Sequence, residues 1–175
     1  SEMCIRDRLC IGAFVTGIVA VLVSYLFDHG SLWEQWVFKE FRWLSLMVTP
    51  LLAVVLAWCT RKVFMYSEGS GIPQVIASLM SQADHSKRSQ LFTWRVMMGK
   101  FLLAPIAIVA GMSLGREGPT VQMGACIMYG VRQFYRRHSE FWDKVFIMAG
   151  GGAGLAAAFN APVAGLVFAL SLIHI

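Results

Sequence analysis

Three stretches of the chain carry no charged side chain, and their placement sets the first expectations. Residues 9–27 and 43–60 are each long enough to cross a hydrocarbon layer about 30 Å thick at a rise of about 1.5 Å per residue. Residues 145–173 form a longer apolar run. The first two read as hairpin-like spanning helices joined by the polar segment 28–42. After Lys62 the pattern changes, because the apolar pieces become short and carry Gly or Pro at their starts. Residues 75–80 are too few to span, residues 81–90 are polar and read as a cytoplasmic loop, and residues 101–114 belong to a helix starting near Leu91 with Pro105 as a kink. Residues 120–131 predict another helix. A basic segment, 132–144, separates it from the last run, which is interrupted by Gly150, Gly151, Gly152 and Gly154. The fold class expected is all-α, a polytopic transmembrane protein.

Composition supports hydrocarbon as the solvent. Apolar residues make up 57% of the chain and charged ones 14%. With the 16 glycines added, about two-thirds of the residues are apolar, against about 45–50% in a soluble domain. A secretory signal is excluded for the first run, which is too long and lacks a small-residue cleavage site. The net charge of +5 raises nucleic acid as a partner, but the basic residues lie between apolar runs, so the lipid bilayer is the expected partner instead. Arg6, Arg8, Arg61 and Lys62 flank the first two spans on one side, and the connection between them is nearly balanced. The positive-inside rule then puts the N-terminus in the cytoplasm and that connection outside. Trp33, Trp36 and Trp43 sit where interfacial aromatics are expected. Cys4, Cys10, Cys59 and Cys126 show no metal-type spacing and read as packing residues, and the four histidines are scattered. No metal, cofactor or nucleophile–base constellation is apparent, so an enzyme is not expected.

The chemistry lies in a device used three times. Gly69-Ser70-Gly71-Ile72-Pro73, Gly115-Arg116-Glu117-Gly118-Pro119 and Asn160-Ala161-Pro162 each look like a helix start: Ser70 and Asn160 are good caps, Pro is tolerated in the first turn, and Gly, where present, allows close approach. A helix start within an apolar layer leaves N–H groups without water, which costs several kcal/mol unless the backbone lines a cavity or binds something. Its partial positive charge and orphan donors suit an anion. The plainer alternative is a set of kinks sealed by neighbouring helices. Arg116 and Glu117 favour the anion, since an ionisable residue at mid-membrane costs roughly 2.5–3.5 kcal/mol and marks a functional site by default. A carboxylate beside helix N-termini would occupy the anion's place and leave it on protonation. The stacked glycines from Gly150 to Gly154, with Ala156 to Ala158, read as a close-packing face.

In order and spacing these motifs resemble the CLC family of chloride channels and proton-coupled chloride transporters, through GSGIP at Gly69–Pro73, GREGP at Gly115–Pro119 and GLAAAFNAPVAG at Gly154–Gly165. The resemblance implies broken, re-entrant half-helices and the first half of an inverted-repeat fold over residues 9–170, with 1–8 and 171–175 expected to be non-native ends. It implies an anion site at Ser70, Gly71, Ile72, Arg116 and Gly118, with Glu117 as the gate. Chloride and protons are the implied partners, and Ser70 in place of proline points to chloride over nitrate. It further implies a homodimer of the full-length protein in a bacterial inner membrane. Proton-coupled members carry a glutamate pair after the third motif, where Ser171 and Leu172 stand here. The second half of the pore is missing, so the 175 residues are expected to be inactive alone. Two rivals remain open: a passive voltage- or pH-gated chloride channel, and a helical scaffold without transport.

Overall fold

The computed structural model describes residues 2–40, 42–80, 89–133 and 140–174. Among the described residues there are seven helices and no strand: α1 (Glu2–Glu40), α2 (Arg42–Lys62), α3 (Ile72–Met80), α4 (Trp94–Val109), α5 (Glu117–Gln133), α6 (Glu140–Phe159) and α7 (Pro162–His174). The all-α expectation holds. Two helical stretches, Asp7–Glu40 and Ser89–Val109, are long and apolar enough to cross a membrane.

The first helix differs from the hairpin expected. It does not end near Phe27 but runs 39 residues to Glu40, about 58 Å at the standard rise. No proline breaks the segment after Phe27, and its polar side chains bond back along the helix. Ser31 donates to the Asp28 carbonyl at 2.8 Å, and the His29 ring pairs with the Tyr25 carbonyl at 3.0 Å. One stripe faces the protein as far as Gly30, with Gly12, Thr16, Ala20, Val23, Phe27 and Gly30 all buried at three- and four-residue spacing. The polar segment 28–40 is therefore a continuation of the helix, and it carries Asp28 and Glu34 over the rest of the molecule.

At the centre α5 lies along α6. α7 folds back on α6, while α1 and α4 lean on α5. Glycine sets these distances. Gly124 of α5 and Gly150 of α6 are so close that a methyl on either would overlap the other's carbonyl oxygen, and Gly154 stands in the same way on the Thr120 carbonyl. Gly152 faces α7, where an added Cβ would come 2.8 Å from the Gly165 oxygen. The glycine run thus acts as the packing face, and it does not interrupt the helix: α6 passes through it unbroken. Each glycine costs about 1 kcal/mol of helix propensity, offset by the contact it permits.

The last apolar run breaks at Asn160 instead. Asn160 has φ +51°, and the Ala161 N–H reaches back to the Ala156 carbonyl at 2.9 Å, closing α6 with a Schellman turn in which a left-handed residue terminates the helix. Asn160 therefore ends one helix rather than capping the next. α4 ends the same way, with Gly111 at φ +80° and Met112 N–H bonded to the Ala107 carbonyl at 2.9 Å. Pro105 sits inside α4.

The basic segment expected at 132–144 is not a simple solvated loop. Its residues 134–139 lie outside the described residues, as does most of the loop expected at 81–90. At its two ends Arg132 and Asp143 form an ion pair between α5 and α6, with side chains 1% and 0% exposed. Of the cysteines, Cys126 is buried as expected of a packing residue, whereas Cys10 is exposed and Cys59 only half-buried. The outer face of α2 is apolar along Trp43, Met47, Leu51, Val54 and Trp58, all exposed, a larger apolar patch than a water-facing helix ordinarily carries.

Candidate functional site

The loop before α3 is fixed by glycines and side chains. Gly69 and Gly71 have φ of +79° and +103°, a region closed to most residues with a Cβ. Gly71 is the cap: its carbonyl accepts the Val75 N–H at 3.1 Å, and its own N–H donates to Gln74 Oε1 at 2.9 Å. Gln74 also donates through Nε2 to the Glu68 carbonyl at 2.6 Å. This is the reciprocal half of a capping box, in which the third helical residue reaches back to the cap. Lys100, only 4% exposed on α4, donates from Nζ to the Gly69 carbonyl. Ser70 precedes the cap and remains exposed.

α5 begins one residue after Arg116. The Arg116 carbonyl accepts the Thr120 N–H at 3.3 Å and its hydroxyl at 2.9 Å. Glu117 is the first helical residue and half-buried, its carboxylate folded back over Gly115. The two helix starts meet. Gly118 lies against the Ser70 carbonyl with no room for a side chain, and a Cβ at Gly71 would stand 2.6 Å from the Gly118 oxygen. Two partial positive ends therefore converge at one place.

Two cavities flank that place. One, of about 610 Å³, is walled by α2 and α4 and lined by Ser70, Ile72, Lys100, Glu117 and Gly118 together with Ser67 and Glu68. The other, of about 410 Å³, is lined by Arg116 and Glu117 on one side and by Asp28, Ser31 and Glu34 of α1 on the other. Glu117 belongs to both walls. Across the second cavity Arg116 pairs with Asp28 at 3.3 Å, both side chains well exposed. The pair is worth at most about 1 kcal/mol in such surroundings.

Of the residues singled out from sequence, Ser70, Ile72, Glu117 and Gly118 share the first cavity. Arg116 faces the second, and Gly71 lies buried behind the junction with its N–H taken by Gln74. The third helix start stands apart. Asn160 and Pro162 are exposed and line neither cavity. Sequence reasoning passed over Lys100 and Asp28. Lys100 had a signal, a lone cation entering an apolar stretch, read with the same rule that picked out Arg116 and Glu117. Asp28 had none while it was placed in a loop.

Comparison with known proteins gives the family. Residues 51–175 match the family model described as voltage gated chloride channel. The chain belongs to that family. Among curated relatives, the H(+)/Cl(-) exchange transporter ClcA of Citrobacter koseri is 33% identical over 178 residues. The alignment covers 93% of this chain and 36% of the relative, so the chain spans little more than a third of that protein's length. As a voltage-gated chloride channel family member the chain is a membrane protein.

Proposed function

We propose that this chain forms part of a chloride transport pathway in which Glu117 gates an anion site between the starts of α3 and α5. The observation that carries the reading is the position of Glu117 as the shared wall of two cavities, at the point where Ser70 meets Gly118. Ser70's hydroxyl and the N–H groups at the start of α5 supply neutral donors, which hold a halide strongly enough to strip water and weakly enough to release it. The Glu117 carboxylate competes for the same donors while charged and yields when protonated. External acid therefore raises anion flux.

Coupling to protons is the reading favoured, by likeness to a relative named as an H(+)/Cl(-) exchanger. A passive channel is the second reading, and Ser171 and Leu172, which stand where proton-coupled members have glutamates, fall in the stretch expected to be non-native and favour neither reading. The segment works within a longer, dimeric chain in a bacterial inner membrane, with the Asp28 side of α1 facing outward. The 175 residues alone carry no flux.

The test is chloride efflux and accompanying proton movement from proteoliposomes of the longer chain, across external pH. Flux rising with acidity in the wild type, and flat in Glu117→Gln, is the result expected. The same pH response in Glu117→Gln would remove Glu117 from the gate. Chloride flux that moves no protons would decide for the channel.

A further inference from the structure

We propose that Asp28 is a positioning residue for the Glu117 gate, holding the Arg116 guanidinium away from the Glu117 carboxylate. The inference rests on the reading of Glu117 as gate and adds its regulation from α1.

Because α1 continues past Phe27, Asp28, Ser31 and Glu34 form one wall of the 410 Å³ cavity, opposite Arg116 and Glu117. Neighbouring Cβ atoms point apart, so Arg116 and Glu117 do not pair by default. An arginine arm is nevertheless long and flexible enough to swing back on its neighbour. In the structure it is turned toward Asp28 instead, at 3.3 Å. Glu117 is thus left to fold over Gly115, beside the junction of the helix starts.

A gating carboxylate must leave and return. An arginine bound directly to it would stabilise the charged form and hold it away from its exchange partner, the anion. Asp28 removes that competitor by giving Arg116 another carboxylate. The charged groups facing Glu117 among the described residues are few: Arg116 on its own loop, Asp28 and Glu34 from α1 across one cavity, Lys100 of α4 and Glu68 across the other. Lys100 is engaged with the Gly69 carbonyl. Arg116 is therefore the cation whose placement Asp28 controls.

The experiment measures chloride flux against external pH in proteoliposomes of the longer chain, for wild type, Asp28→Asn, Asp28→Glu, Arg116→Gln, the Asp28→Asn/Arg116→Gln double variant and Glu117→Gln. With Arg116 present, Asp28→Asn moves the midpoint of the profile to lower pH by roughly half a unit to one unit, as expected of a new opposite charge in a solvated site. Asp28→Glu retains the wild-type midpoint. In the Arg116→Gln background the same Asp28→Asn change moves the midpoint by less than half as much, because no arginine remains to swing back. Equal shifts in both backgrounds would mean that Asp28 acts on Glu117 directly through space, and would overturn the proposal. So would an unchanged midpoint in Asp28→Asn, whether or not the amount of folded protein falls. A Glu117→Gln profile identical to wild type would instead overturn the gate itself, and the role of Asp28 with it.

Discussion

Two regions of the molecule use glycine at helix surfaces to opposite ends. Between α5 and α6, Gly124, Gly150 and Gly154 bring two complete helices together until backbone touches backbone. Polar groups there are sealed, as Arg132 and Asp143 are paired with almost no exposure. Between α3 and α5, Gly71 and Gly118 bring two helix beginnings together instead. Ser70 stays exposed and Glu117 half-buried, beside cavities on both sides. Close backbone approach alone therefore makes no site. What separates the regions is whether the helices meet mid-length, with their backbone groups spent in helical hydrogen bonds, or at their starts, where first-turn donors have no partner within the helix.

The comparison is broken most forcefully at the sealed pair. Asp143→Ala leaves Arg132 charged and buried, and should cost about 3–5 kcal/mol, whereas replacing both residues with apolar ones of similar volume should recover most of it. Resistance to denaturant in micelles of the longer chain measures this. An Asp143→Ala protein as stable as wild type would show that the α5–α6 seam is hydrated. Gly150→Val should follow at about 3 kcal/mol, since overpacking here meets backbone and not a movable side chain. Chloride selectivity in any surviving folded protein should be unchanged.

On the open side effects turn from stability to transport. Lys100→Met removes the donor to the Gly69 carbonyl, a bond to a charged group worth about 1.5–3 kcal/mol at most, and should weaken chloride binding by loosening the loop that presents Ser70. Calorimetric titration with chloride reads this. Ser70→Ala should be milder, about 0.5–1.5 kcal/mol or up to roughly tenfold in affinity, with stability unaffected. An equal loss of stability would mean that Ser70 is a structural cap and not a ligand.

The sequence was informative wherever a local rule decided the outcome. Gly69-Ser70-Gly71-Ile72-Pro73 and Gly115-Arg116-Glu117-Gly118-Pro119 carry glycine and proline within five residues, and both begin helices where expected, with Gly71 as the cap and not Ser70 in the first and Arg116 in that place in the second. The packing role of Gly150 and Gly154 followed from small-residue spacing. What was not legible depended on partners distant in the chain. Asn160 has the composition of an N-cap, yet the geometry of the preceding helix decides that it closes α6. The polar stretch after Phe27 has loop composition, but the buried stripe of α1 runs on to Gly30, and the helix it carries past Phe27 delivers Asp28 to Arg116. Arg132 and Asp143 read as part of a basic segment, since neither residue alone reveals a carboxylate and a guanidinium buried together.

The central claim is that the starts of α3 and α5 jointly replace the water shell of a halide. Bromide scatters anomalously and substitutes for chloride, so a crystal structure of the longer chain grown in bromide tests the claim most directly. The account predicts an anomalous peak in the larger cavity between the Ser70 hydroxyl and the Gly118 N–H, strengthened in Glu117→Gln. Bromide found only beside surface lysines and arginines, with that junction empty in both proteins, would contradict it.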